Sequence, residues 1–387
     1  MVVSRHYARV GARLVHYRLA GDGPPVVLVH QSPRSAAEYL PLIAVWAKDF
    51  TVIAPDTPGN GQSDPLALAA PGIPDYAAAL LAFLDTLGIE KAGFYGYHTG
   101  AATVACLAHQ APARMVAGVA NGFAIMQDAE RKDFLAHYLP AVPPAWDGSH
   151  LAWAWARIRE QSVFFPWYRR HDDARLAYDA YTPEAAQEHV MDMLRPGDAY
   201  RAPYRAAFAF ERERCFDGPT APLTIMAAPP DPLFAHLDRL GALPETVSVY
   251  RGRDRNDALA RARAILRRAL ANARLGAPGP TPTPRLREAA RPGRGYANLE
   301  TGRQIHFRHS AWSKSRPVMI LHDIGLSSRV VEADCAALAQ TRPVLAPDLP
   351  GHGASDPRTQ LAPEAIAAWL LAMLDALDIN SIDLVCH

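Results

Sequence analysis

The chain has 387 residues, 49% hydrophobic and 20% charged, and its 40 Lys plus Arg nearly balance its 39 Asp plus Glu. The length suits two or three globular domains with a sizeable core, and the charge balance speaks against nucleic acid or a membrane surface as partner, because both select a basic excess. No apolar run approaches the roughly 18 residues that span a bilayer, the N-terminus has no signal-peptide pattern, and four scattered cysteines without a CxxC pair read as the reduced thiols of a cytoplasmic protein.

The predicted elements begin with two alternating segments, Val2–Arg9 and Arg13–Leu19, turning at Val10–Ala12 as an antiparallel hairpin. Pro25–His30 is a continuous apolar run, the pattern of a strand buried on both faces. A helix is predicted over Ala36–Ala47, a strand over Phe50–Ala54, and a helix over Asp75–Leu87 with Gly88 as its C-cap. A strand at Lys91–Tyr95, a small-residue helix at Ala101–Gln110 and a strand at Met115–Ala120 follow. This rhythm predicts a parallel sheet with right-handed crossovers. Residues 123–216 are dense in aromatics and arginine, lack a strand pattern, and are expected to be a helical insert. Such an insert sits over the strand ends, where open parallel sheets bind ligands. Strands return at Leu223–Ala228 and Thr246–Tyr250, followed by a helix over Asp257–Ala273.

One pattern occurs twice. VVLVHQS, DTPGNGQSDP and LLAFLDTLGIEKAGFYGYH answer to VMILHDI, DLPGHGASDP and LLAMLDALDINSIDLVCH, so that His30 matches His322, Asp56 matches Asp348 and Asp85 matches Asp375. A Pro/Gly-rich linker separates the copies over residues 275–294. The expected organisation is one large α/β domain over residues 1–274, the linker, and the N-terminal half of a second such domain over 295–387. Gly96 then matches Cys386 and Tyr97 matches His387, so the second copy stops before a counterpart of His98 and is expected to be truncated and inactive.

Three features now converge: His30 and Gln31 after a buried strand, the D-x-x-G-x-G-x-S-D-P loop over Asp56–Pro65, and GYHTG over Gly96–Gly100 between a strand and a small-residue helix. Together they resemble the α/β-hydrolase superfamily, most closely its epoxide-hydrolase, haloalkane-dehalogenase and C–C-hydrolase branch. The resemblance implies an α/β-hydrolase fold, a mostly parallel doubly wound sheet with a helical cap over about residues 123–216, and a partial second copy. It also implies a G-x-S-x-G nucleophile elbow at Gly96–Gly100, whose glycines are needed because larger neighbours clash in so tight a turn. The centre of this elbow, however, is His98 instead of Ser, Cys or Asp. The resemblance places the acid at Asp231 in LTIMAAPPDPLF. Where it places a general-base His, the turn VYRGRDRND holds Arg253, Asp254 and Arg255, so a Ser-His-Asp triad is broken at two of three positions.

Two functions remain open at this point. In one, Asp231 orients His98 as a base, the backbone N–H groups of Gln31 and Thr99 form an oxyanion hole, and the protein is a cofactor-independent hydrolase or lyase of a small, mostly apolar organic substrate. In the other, the domain is a catalytically inactive ligand-binding or scaffolding module. Arg34, Tyr97, Trp167, Tyr168 and Asp254 are candidates for substrate contact, although an arginine such as Arg34 is more often a surface or salt-bridged residue and the tryptophan and tyrosine rings of the insert suit a cap core at least as well. His30 is expected to shape its loop, and Asp56 to hold the loop rather than catalyse. GNGQSD and GHGASD lack the third glycine of a dinucleotide fingerprint, and no His, Cys and carboxylate residues fall at metal-ligand spacing, so no cofactor and no metal are expected. The expected partner is a small molecule, with a homo-oligomer left open.

Overall fold

A computed structural model describes residues 2–211, 215–271, 273, 275, 286–357 and 362–386. The chain divides into two compact units, Ala8–Pro278, and Gly279–His387 together with Val2–Tyr7. Val2–Tyr7, expected in the first domain, groups with the second unit, and residues 276–285, half of the linker expected over 275–294, lie outside the described residues.

The chain opens with β1 (Ser4–Val10), whose last three residues belong to the first unit, followed by β2 (Arg13–Ala20) and β3 (Pro25–Val29). The helix expected over Ala36–Ala47 starts as a 3-10 turn, Ala36–Tyr39, and becomes α1 only at Leu40–Trp46. Pro41 near the start of α1 explains the break, since it has no N–H to extend a preceding ladder yet is pre-set for a first turn. Next come β4 (Thr51–Pro55), α2 (Ile73–Thr86), β5 (Ala92–Tyr97), α3 (Thr99–Gln110) and β6 (Met115–Asn121). Among the described residues of the aromatic stretch there are four α-helices: α4 (Asp128–His137), α5 (Ser149–Val163), α6 (Pro183–Leu194) and α7 (Arg201–Ala209). The unit closes with β7 (Leu223–Ala227), β8 (Val247–Arg251) and α8 (Arg255–Leu270).

Its sheet has the order β1-β2-β4-β3-β5-β6-β7-β8. β2 runs antiparallel to β4, and every pairing from β4 through to β8 is parallel. β3, β4 and β7 are buried at every position, as their unbroken apolar runs require. Two glycines of β5 show that the sheet is covered on both faces. A Cβ on Gly93 would meet Leu266 and Leu270 of α8, whereas a Cβ on Gly96 would meet the backbone of Gly100 in α3. Residues an odd number apart point to opposite sides of a strand, so α8 and α3 cover opposite faces. The inserted helices have an apolar core of their own, centred on Phe134, Tyr138, Trp167, Tyr204 and Phe208.

The second unit contains β9 (Gly293–Asn298), β10 (Gln304–His309), β11 (Val318–Leu321), α9 (Glu332–Leu338), β12 (Val344–Pro347), α10 (Pro363–Ala376) and β13 (Asp383–Cys386). Its strand order, β13-β11-β12-β10-β9, is that of β5-β3-β4-β2-β1. Phe307, Trp369 and Met373 anchor its core, while Leu384 and Val385 of the edge strand β13 are 57% and 44% exposed. No helix among the described residues is long and apolar enough to cross a membrane.

Candidate active site

The turn from β5 into α3 places His98 at the C-terminal end of the sheet. Its backbone is left-handed, with φ 49°, a conformation that costs a residue with a Cβ about 1 kcal/mol or more. The surroundings impose it: the His98 N–H donates to the Asn121 carbonyl at 3.0 Å, and the His98 carbonyl accepts from Ala102 N–H at 3.1 Å. The flanking glycines are obligatory, because a Cβ on Gly96 would lie 2.2 Å from the Gly100 carbonyl oxygen and one on Gly100 would lie 1.9 Å from that of Val29.

His98 and Asp231 meet. The imidazole Nε2 is 2.8 Å from Asp231 Oδ2, with the imidazole side chain 26% and the carboxylate side chain 9% exposed. Tyr97 donates its phenol O–H to the same carboxylate oxygen at 3.0 Å, and the Leu233 N–H donates to the other at 2.8 Å. The rings of Tyr97 and His98 stack with centroids 4.0 Å apart. Burial by itself pushes the Asp231 carboxyl up. The His98 imidazole and the N–H and O–H donors outweigh it and hold the group below its ordinary value, so it is ionised and fit to stabilise an imidazolium. Burial, then the Asp231 charge, raises the Tyr97 phenol well above its ordinary value, so it remains a donor. Gly122 leaves room for this arrangement, since a Cβ there would lie 2.3 Å from the imidazole and 3.1 Å from the carboxylate.

The dyad borders a cavity of about 330 Å³ walled by the sheet ends and the helical insert. Tyr97, Thr99, Gln31 and Arg34 line it, and so do Glu38, Tyr178, Tyr181 and Arg255. Sequence reasoning missed Glu38, Tyr178 and Tyr181. Tyr178 lies on the insert, where no spacing rule links it to the elbow, and only the chain's return over the sheet brings it near Asp231.

Several expected contacts are otherwise engaged. The Gln31 N–H, expected in an oxyanion hole, donates to Glu38 Oε1 at 3.0 Å while its side-chain amide donates to Oε2 at 2.9 Å. A carboxylate seven residues on, brought back by the 3-10 turn, therefore takes the amide. The Thr99 N–H, at the first position of α3, has no partner among the described residues. Arg34 forms a buried ion pair with Asp192 of α6 at 2.9 Å, Ser35 Oγ donates to the same carboxylate, and His189 also contacts the guanidinium, so its charge is spent inside the protein. Burial and the adjacent Arg34 push His189 down to about 3, which keeps it neutral. Trp167 and Tyr168 do not line the cavity. Trp167 is buried in the insert's own core with its indole N–H donating to the Tyr138 carbonyl, and Tyr168 donates its O–H to Asp133. Large rings fill the small insert's interior first, because it has little other apolar material. Asp254 serves as the N-cap of α8, accepting from Asp257 N–H at 2.9 Å, and is likewise outside the cavity wall. His30 ties its loop together, its Nδ1–H donating to the Gln31 carbonyl and its Nε2 accepting from Thr57 N–H. Among the described residues no three His, Cys, Asp or Glu side chains are grouped to hold a metal ion.

Comparison with known proteins bears on the fold that carries these residues. A family profile described as alpha/beta hydrolase fold matches residues 24–166. A soluble epoxide hydrolase from Corynebacterium sp. (strain C12) is 34% identical over 98 residues, which are 25% of this chain and 34% of that protein, so the match spans about a third of the relative's length. Among solved structures, epoxide hydrolase A from Mycobacterium thermoresistibile superposes with a TM-score of 0.53 at 20% identity, covering 71% of this chain and 100% of that one. The enol-lactonase from Burkholderia xenovorans LB400 gives 0.50 at 20% identity, covering 68% and 98%. With its mostly parallel eight-stranded sheet, its flanking helices and hydrolases as neighbours in sequence and structure, this chain has the α/β-hydrolase fold.

Proposed function

We propose that the first unit is a cofactor-independent hydrolase, or a lyase, acting in the cytoplasm on a small, mostly apolar organic molecule, with His98 as its base. The observation that carries this reading is the 2.8 Å contact of His98 Nε2 with a buried, ionised Asp231 at the edge of the cavity. Asp231 accepts from Nε2–H, which leaves the lone pair on Nδ1, and that atom has no partner among the described residues. Nδ1 removes a proton from a bound water as the water oxygen attacks the substrate's electrophilic carbon. The imidazolium, balanced by Asp231, then returns the proton to the leaving group. In a lyase the same atom takes the proton from the substrate itself. The amide at the start of α3, on Thr99, faces developing negative charge, whereas Gln31 holds Glu38. The hydrolases among the relatives support the reaction class.

The test is turnover of small epoxides, lactones and esters by the full chain. His98→Ala is expected to lower the rate at least ~100-fold, and an unchanged rate would end the proposal.

A second reading, ligand binding without catalysis, is favoured by the Glu38 carboxylate on the Gln31 amide, which fills half of the usual oxyanion site. It predicts saturable binding with no turnover of any of these substrates.

For the second unit, we propose that residues 295–387 answer to the N-terminal half of another such domain. The matching strand order and the matching loop after β12 support this.

A further inference from the structure

The turn after β8 carries three charged residues in a row, and their fates differ. Arg253 leans away from the cavity and pairs with Asp257 at 3.0 Å. Asp254 caps α8. Arg255 alone of the three lines the cavity. It is solvent-exposed, and among the described residues it has neither an ion pair nor a hydrogen bond. Its charge is nevertheless felt along the floor and the insert side of the cavity, where it opposes the upward shifts of Tyr95, Tyr97 and Tyr178.

Of the other charges bordering the cavity, the exposed Asp179 carboxylate of the insert has neither an ion pair nor a hydrogen bond among the described residues, whereas three are committed. Arg34 is neutralised by Asp192, Asp231 is matched by His98, and Glu38 is held by the backbone and side-chain amides of Gln31. Arg255 and Ala258 both line the wall, so the first turn of the 16-residue helix α8 borders the cavity, with the Asp254 carboxylate capping the amide of Asp257. An uncommitted guanidinium in a wall that also holds Tyr138, Phe165, Tyr178, Tyr181 and Phe208 suits a ligand with an apolar body and one planar anionic end, because the fork of N–H donors matches a carboxylate in a bidentate manner.

We infer that Arg255 is a specificity-determining residue, and that the cavity takes a monocarboxylate whose carboxylate sits on the Arg255 guanidinium while its apolar part reaches toward His98. This deepens the proposed function by naming the substrate class and rests on that reading for its catalytic meaning. The carboxylate preference itself is a binding property and stands apart from it.

The test is isothermal titration of the full chain with 3-phenylpropanoate and with its uncharged isostere 3-phenylpropanamide, at low salt. The unaltered protein is expected to bind the carboxylate roughly tenfold more tightly than the amide, and added salt is expected to weaken the carboxylate alone. Arg255→Gln, which keeps a good helix former at this position, is expected to bring the two affinities within about twofold while leaving the melting temperature in place. Arg255→Lys is expected to retain part of the preference. Equal affinities in the unaltered protein, no binding of the carboxylate, or a preference that survives Arg255→Gln would each overturn the inference. Because this assay reads no turnover, a failure here leaves His98 as base untouched, and an inert His98 leaves the carboxylate site untouched.

Discussion

In the first unit, Asp56 takes His16 Nδ1 and the N–H groups of Ala36 and Gln62, all at 2.8 Å, while the His16 N–H reaches Ser63 Oγ at 2.9 Å. In the second unit, Asp348 takes His306 Nδ1 at 2.7 Å and the N–H groups of Ser328 and Ala354 at 2.7 and 2.8 Å, while the His306 N–H reaches Ser355 Oγ at 2.9 Å. Glycines in the same place permit both loops: Gly61 and Gly353 have φ +52° and +53°, and a Cβ on either would strike the carboxylate at 2.2 or 2.1 Å. The strands that follow differ. β5 is buried along almost its whole length between β3 and β6 and leads into the His98 turn, whereas β13 has β11 on one side and is largely exposed. The loop carrying D-x-x-G-x-G-x-S-D-P is therefore a piece of scaffolding that forms from its own residues and the hairpin before it. The candidate chemistry comes from what packs beyond β5, namely Asn121 at the end of β6, Asp231 after β7 and the helical insert.

This contrast can be broken most forcefully at the two carboxylates. Asp56→Asn and Asp348→Asn should each cost about 3 kcal/mol, since each leaves buried donors facing an amide that cannot accept them all. Calorimetry of the full chain should show each substitution lowering the unfolding transition of its own unit. Only Asp56→Asn should weaken ligand binding in the cavity, and loss of that binding in Asp348→Asn would show that the loops are not separable scaffolds. Acid should act on both units alike. Burial raises Asp56 and Asp348, yet their histidines and N–H donors hold both carboxyls well below the ordinary value. A depressed folded-state value means stability that is present above about pH 4, the unfolded value, and lost as the pH falls below it. Melting curves between neutral and acid pH should thus show both transitions falling together from about pH 4. The smallest effect on stability is expected at Gly122→Ala, about 1–2 kcal/mol for a Cβ in a left-handed backbone. Because that Cβ invades the imidazole, turnover should fall at least ~10-fold and the low-field N–H proton resonance of the His98–Asp231 pair should disappear. An intact resonance in that variant would show that the dyad does not depend on the space Gly122 leaves.

How much of this could be read from the chain follows the range of the interactions. The strands and helices of the sheet were legible to within a few residues, because an apolar run flanked by turn residues states its own burial, as VVLV and TVIAP do. The GYHTG turn was legible because steric exclusion at Gly96 and Gly100 acts over five residues. Asp231 was named through the resemblance rather than through spacing, and the sequence alone gave no reason for its carboxylate to face His98 across 133 intervening positions. For Arg34, Trp167, Tyr168 and Asp254 the sequence leaves substrate contact and a structural role side by side, because their partners, Asp192, Tyr138, Asp133 and the Asp257 amide, engage these side chains in ways that only distance reveals. Glu38 went unnoticed for the same reason.

Local pattern and short-range sterics thus determined the sheet, the two like loops and the presence of an imidazole at the sharp bend, since each depends on neighbours in the chain. Which charges are spent and which remain for a ligand was decided only by the packing of the insert and α8 over the strand ends. There Asp192 claims Arg34, Glu38 claims the Gln31 amide, and Arg255 is left with its guanidinium unclaimed.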